Sequence, residues 1–136
     1  MKYVLDTNTV SAIMRAESSV LARLRKTPKD SVGVPEPALA EIEYGIARLP
    51  QSRRRETLAE RLALVRSEIP ALAWSREVSE QFGAIKALLE KRGERLADMD
   101  VAIAAHALAS GATLVTADRT HMNRIAGLAI ESWTAA

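Results

Sequence analysis

Four carboxylates, Asp6, Glu41, Asp100 and Asp118, stand far apart along the chain, each where a short apolar run gives way to a turn or a helix start. Asp6 follows Tyr3-Val4-Leu5, and Asp118 follows Thr113-Leu114-Val115-Thr116-Ala117. Glu41 opens Glu41-Ile42-Glu43-Tyr44-Gly45, and Asp100 heads Asp100-Val101-Ala102-Ile103-Ala104-Ala105-His106. In an open α/β sheet the carboxyl ends of the strands gather along one edge, where ligands bind. Acids collected there repel one another unless a hard cation holds them, so the first expectation is a metal-dependent active site. Mg²⁺ favours six oxygens and keeps several waters, so a few carboxylates plus a substrate phosphate complete its shell. Such an ion can make a water nucleophilic and neutralise charge on a phosphoryl oxygen, and two ions about 3.5–4 Å apart could clamp both attacking and leaving oxygens. Zinc does not fit: the two histidines, His106 and His121, are not paired with ligands at helical spacing. His106 reads as a packed helix residue and His121 as a surface one.

Each acid also has an ordinary reading. Asp6 and Asp98 could cap helices, Asp118 could be a turn residue and Glu41 a solvated helix residue. Their joint placement at strand ends and helix starts favours a site. Helix geometry separates neighbours, because residues two apart differ by about 200° in direction. Glu41 therefore shares a face with Tyr44 and Gly45 while Glu43 faces solvent. Asp100 shares a face with Ile103 and Ala104, whereas Asp98 fits a cap.

The elements that must position these acids follow from pattern and punctuation. Lys2 to Leu5 reads as a buried strand, followed by helices at Thr7 to Met14 and Ser19 to Lys26, a turn at Lys29-Asp30, and a strand at Ser31 to Val34. Prolines are tolerated in a first helical turn, so Glu36 to Leu49 can be helical, with Leu39, Ile42, Ile46 and Leu49 as its buried stripe. Pro50 ends it. Ser52 to Arg66 forms the next helix, with arginines outward, and Ile69 to Leu72 a third strand. Ser75 caps a helix through Lys91, Gly93 ends it, and Asp98 to Ser110 is a helix of small residues closed by Gly111. Thr113 to Thr116 and Leu128 to Trp133 are the last strands. Strands alternating with helices predict a three-layer α/β/α domain with a central, mainly parallel sheet.

Length and composition fit one domain over 1–136: 136 residues, 48% hydrophobic, suit a single core. No apolar stretch is long enough for a membrane span, and Asp6 falls where a signal peptide needs its apolar centre. Zero cysteines exclude disulfides and thiolate metal sites and fit a reducing cytoplasm. The net charge of +2 permits a polyanionic partner without demanding one. Arg48, Arg53, Arg54, Arg55, Arg61 and Arg66 crowd the middle third, followed by Lys86, Lys91, Arg92 and Arg95. Such runs usually mark solvated helix faces. Five aromatic residues are too few for an extended stacking platform, so any nucleic acid would be held mostly by its phosphates.

Leu5-Asp6-Thr7-Asn8, Ala40-Glu41-Ile42-Glu43-Tyr44-Gly45, the segment Met99 to Leu108 and the segment Gly111 to Asp118 together resemble the PIN-domain ribonucleases, and more narrowly the VapC-type toxins of toxin–antitoxin pairs. The likeness runs in order from residue 3 to Trp133. It implies a PIN-like fold and a Mg²⁺- or Mn²⁺-dependent endoribonuclease leaving 5′-phosphate and 3′-hydroxyl ends. Asp6, Glu41, Asp100 and Asp118 match the acidic quartet of the family. Asp6 and Asp100 would be the firmest metal ligands, Glu41 would hold water or a second ion, and Asp118 would complete the cluster directly or through water. Thr7, Asn8 and Thr116 match polar positions that orient the acids. The resemblance further implies an RNA substrate, a homodimer formed through helices and a cognate antitoxin. Two departures stand out: Leu96-Ala97-Asp98 replaces a glycine-bearing loop, so Asp98 competes as a ligand, and Met122 replaces a frequent Phe.

Other acid-based chemistries fit less well. An aspartyl-phosphate phosphatase wants a second Asp two places after Asp6, where Asn8 stands. A receiver module wants a lysine after a late strand, and Thr116-Ala117-Asp118-Arg119 offers none. A catalytically silent relative that only grips a partner is the remaining alternative.

Overall fold

The computed structural model describes residues 1–134; the last two residues of the expected 1–136 domain lie outside the described residues. Five short strands form one sheet: β1 (Tyr3–Leu5), β2 (Val32–Pro35), β3 (Ala71–Leu72), β4 (Thr113–Val115) and β5 (Ile130–Glu131). Their order is β3-β2-β1-β4-β5, and every pairing is parallel. The expected sheet is thus parallel throughout. β1 is central, with Tyr3 beside Val32 on one side and Thr113 on the other. Being covered on both faces, β1 is a continuous apolar run, as parallel strands require.

The helices are α1 (Thr7–Met14), α2 (Ser18–Arg25), α3 (Glu36–Ala47), α4 (Arg53–Glu68), α5 (Arg76–Lys91), α6 (Asp98–Ala109) and the short α7 (Arg119–Met122). Ser52 and Ser75 cap α4 and α5 by accepting from the amides of Arg55 and Val78. Asp6 caps α1 and Asp118 caps α7. Pro37 sits in the first turn of α3, where its missing amide hydrogen costs nothing.

Three local expectations need correction. Asp98 is not a cap: Ala97 holds that position, and the Asp98 carboxylate pairs with Lys86 of α5 at 3.0 Å. The last strand contracts from Leu128–Trp133 to Ile130–Glu131, because only that pair meets β4. The third strand contracts to Ala71–Leu72 beside Val34 and Pro35. Residues 119–122, which the sequence pattern leaves unassigned, form a turn of helix on the Asp118 cap.

The core is continuous across both faces of the sheet, and Val4, Leu5, Leu39, Ile103 and Leu114 are among its fully buried side chains. α6 lies deepest: every residue from Val101 to Ala107 is buried, and its small side chains allow close packing against α5 and the sheet. Gly33 of β2 is required by close approach, since a Cβ there would stand 2.8 Å from side-chain atoms of Leu72. Arg23 fastens α2 to the sheet edge. It pairs with Glu131 at 2.9 Å and lies over the rings of Tyr3 and Trp133 at 5.8 and 5.5 Å. No helix among the described residues is long and apolar enough to cross a membrane.

Candidate active site

The sheet reverses its winding direction about β1, because the chain moves from β1 to β2 and β3 on one side and returns to β4 and β5 on the other. The crevice beyond the carboxyl ends of β1 and β4 is therefore the expected ligand position. Asp6 follows β1 directly. Its amide donates to the Val115 carbonyl of β4 at 3.1 Å, and its Oδ1 accepts from the Thr9 amide at 2.8 Å. Thr9 Oγ1 donates to the same Val115 carbonyl at 3.1 Å, locking the start of α1 to the end of β4. Asp6 is only 7% exposed, yet it helps line a cavity of about 170 Å³.

That cavity is bounded by Asp6, Thr7, Asn8, Glu41, Asp100, Ile103 and Met122. Three of the four singled-out acids thus face one space, delivered by β1, α3 and the first turn of α6. Thr7 Oγ1 donates to Glu41 Oε1, tying α1 to α3 across the cavity. Asn8 is exposed at the rim. Burial raises the pKa of the half-buried Asp100, and the negative charges of Glu41, Asp118 and Asp6 raise it further, while His121 acts against them. The four acids therefore share one electrostatic field.

Asp118 stands apart from the cavity wall. Its Oδ1 accepts from the His121 amide at 3.2 Å, and both its carboxylate oxygens lie 2.9 Å from His121 Nδ1. Buried Thr116 accepts from the Asp118 amide at 3.0 Å and so fixes the turn that holds it. His121 was expected only as a surface residue. It is exposed, but it is also the direct partner of the fourth acid. The Asp118-x-x-His121 spacing is the one signal that could have linked them, since a capping Asp brings the third residue onward within reach. Asp98 is exposed and tied to Lys86, so it does not join the cluster. Glu43 pairs with Arg66 of α4 at 3.3 Å, on the face away from Glu41.

The donor set suits a hard divalent ion. Carboxylate, hydroxyl and amide oxygens line the cavity, and no Lys or Arg is among the lining residues. Mutual repulsion that lifts the Asp100 pKa is what a cation would relieve. Among the described residues, no three acids or imidazoles form a ready-made metal cage. An ion held by one or two carboxylates, waters and substrate oxygens needs none.

Residues 3–128 match the family model of the PIN domain. Ribonuclease VapC2 of Rickettsia felis is 31% identical over 135 residues, covering 98% of both chains. The tRNA(fMet)-specific endonuclease VapC of Shigella flexneri is 27% identical, covering 98% of this chain and 99% of its own length. Among solved structures, VapBC2 from Rickettsia felis bound to a DNA fragment from their promoter aligns with a TM-score of 0.86 at 28% identity, covering 98% of this chain and 99% of that one. DNA-bound VapBC from Salmonella typhimurium aligns with a TM-score of 0.88 at 25% identity, covering 98% of each chain.

Proposed function

Because the chain belongs to the PIN-domain family, and within it to the VapC ribonucleases that it matches along their length, we propose that it is a divalent-metal-dependent endoribonuclease acting as the toxin of a toxin–antitoxin pair. The observation that carries this reading is the gathering of Asp6, Glu41 and Asp100 around one cavity, with Asp118 in the same field.

Asp6 and Asp100 would hold a Mg²⁺ or Mn²⁺ ion. When bound, such an ion lowers the pKa of a water and offsets charge on the phosphoryl oxygens. Glu41 is the proton acceptor: Thr7 engages Oε1, which leaves Oε2 free to take a proton from the attacking water. Water oxygen adds to phosphorus, the bond from phosphorus to O3′ breaks, and O3′ takes up a proton from solvent. The products are a 5′-phosphate and a 3′-hydroxyl. Asp6 is held rigidly by the Thr9 amide, so its geometry is set before substrate arrives. Asp118, fixed by Thr116 and His121, completes the negative rim. Exposed arginines of α4, Arg53, Arg54 and Arg61, supply phosphate contacts whose strength falls with salt.

The proposed protein partner is a cognate antitoxin. An apolar groove of about 650 Å³ between α1, α2 and α4, lined by Ile13, Met14, Leu21, Leu24, Leu64 and Val65, has the character of a seat for an amphipathic helix. Self-association through the helical layer is proposed with it, and Leu88 of α5 and Met99 of α6 are exposed apolar side chains available for that contact.

The test is cleavage of RNA by purified protein with Mg²⁺ or Mn²⁺ and with a chelator. Wild-type protein should cleave only with the ion, and Asp6→Asn and Asp100→Asn should lose cleavage while keeping the wild-type circular dichroism spectrum. Full activity in either variant with metal present removes that residue from the mechanism.

A further inference from the structure

The most exposed large hydrophobic side chain of the described residues is Tyr44, at 68%, and it stands one helical turn beyond Glu41. Positions three apart on a helix are neighbours, with Cβ atoms about 5–6 Å apart. At about 100° per residue, Glu41, Tyr44 and Arg48 fall within one arc of about 60° on α3. Leu39, Ile42 and Ile46 occupy the opposite, buried face. The Tyr44 ring has no aromatic partner and no hydrogen bond among the described residues. Beside it, the Gly45 flank is open: nothing lies within 4 Å of where a Cβ would be. The exposed arc therefore presents a carboxylate of the cavity, a free aromatic ring and a guanidinium, in that neighbourhood.

We propose that Tyr44 is a substrate-binding residue that stacks on an RNA base next to the scissile phosphate, with Arg48 on the adjoining backbone phosphate. This rests on the nuclease reading above. A phosphodiester seated at Glu41 carries its flanking base within the reach of one nucleotide, and the ring one turn away meets that base. Stacking uses the π-face common to all bases, so it tolerates any sequence. A second protein copy is a poorer occupant, because the other neighbours on this arc are Ala40, Ala47 and charged groups. One ring among them is far less than the roughly 800 Å² per partner of a standard interface.

The experiment uses a short single-stranded RNA whose cleavage point has been mapped with wild-type protein and Mg²⁺. Steady-state kinetics are compared for wild type, Tyr44→Phe and Tyr44→Ala, on the intact RNA and on versions with one abasic nucleotide on either side of the cleavage point. Tyr44→Ala should raise KM by roughly 5- to 150-fold with kcat nearly unchanged, because stacking is present in ground and transition states alike. Tyr44→Phe should stay within about twofold of wild type, since the ring face survives. On one of the two abasic RNAs the difference between Ala and wild type should vanish. Equal KM values on intact RNA, or an undiminished difference on both abasic RNAs, overturn the assignment. So does a deficit that tracks loss of a dimer in sedimentation and disappears at higher protein concentration. Wild-type protein inert on RNA with either ion overturns the nuclease reading itself, and Tyr44 falls with it; activity without a Tyr44 effect overturns Tyr44 alone.

Discussion

Lowering the pH should destabilise this protein through His106, well above the range where carboxylates titrate. His106 is 1% exposed on α6, and its Nε2 has no hydrogen-bond partner. It sits edge-on to Trp74, with centroids 5.9 Å apart and planes at 88°. Burial holds its pKa below the ordinary 6.5. The unfolded chain therefore takes up a proton first, and stability is lost as pH falls below about 6.5. The loss from pH 7.5 to 5 is bounded at about 2 kcal/mol, with a limiting slope of about 1.4 kcal/mol per pH unit. At a urea dependence of about 1–3 kcal/mol per molar, the unfolding midpoint should fall with pH by no more than about 1–2 M. The assay is urea unfolding of wild type and His106→Phe across that pH range. The phenyl ring keeps the edge contact with Trp74 and removes both the proton site and the unpaired nitrogen. The variant should show the wild-type curve minus this slope. Equal slopes in the two proteins, or a flat wild-type profile, would refute the argument.

Asp100 titrates in the opposite sense. Raised Asp100 binds its proton more tightly in the folded state, so its contribution is present in acid and lost as pH rises through its folded pKa. A divalent ion should offset that loss. At 100 times its dissociation constant it adds about 2.7 kcal/mol, or about 10 °C in melting temperature for a chain of this size. Differential scanning fluorimetry should show this rise in wild type and its absence in Asp100→Asn; an equal rise in both would exclude Asp100 as a ligand. Thr7→Val removes the hydrogen bond to Glu41, and bonds to charged groups are worth about 1.5–3 kcal/mol. Initial-rate measurements should show kcat reduced roughly 10- to 100-fold, with Thr7→Ser near wild type. A valine variant as fast as the serine variant would show that Glu41 needs no such anchor.

The features legible in the sequence were those that local pattern determines. The apolar run Tyr3-Val4-Leu5 ending at Asp6 marks a buried strand and its exit, and the stripe Leu39, Ile42, Ile46 fixes which way Glu41 points. Facing arguments of this kind separated Glu41 from Glu43 and Asp100 from Asp98, and the structure keeps both pairs apart. What was not legible depends on distant partners. Asp98 looked like a cap, but Lys86 on α5 draws its carboxylate outward. α7 is too short to show any periodicity, so the link between Asp118 and His121 was hidden. β5 is two residues long because its neighbour β4 decides its extent, not its own composition. The apolar groove joins side chains of three helices, none of which displays it alone.

The central position of β1 has a consequence during synthesis. Tyr3–Leu5 is made early but is flanked on one side by Thr113–Val115, which is made late, and Asp100 arrives only shortly before. A ribosome producing this polypeptide therefore carries a sheet that stays open on one side of β1 for most of translation. The cavity bounded by Asp6, Glu41 and Asp100 is thus completed only late in synthesis, once the segment carrying α6 and β4 can pack against β1.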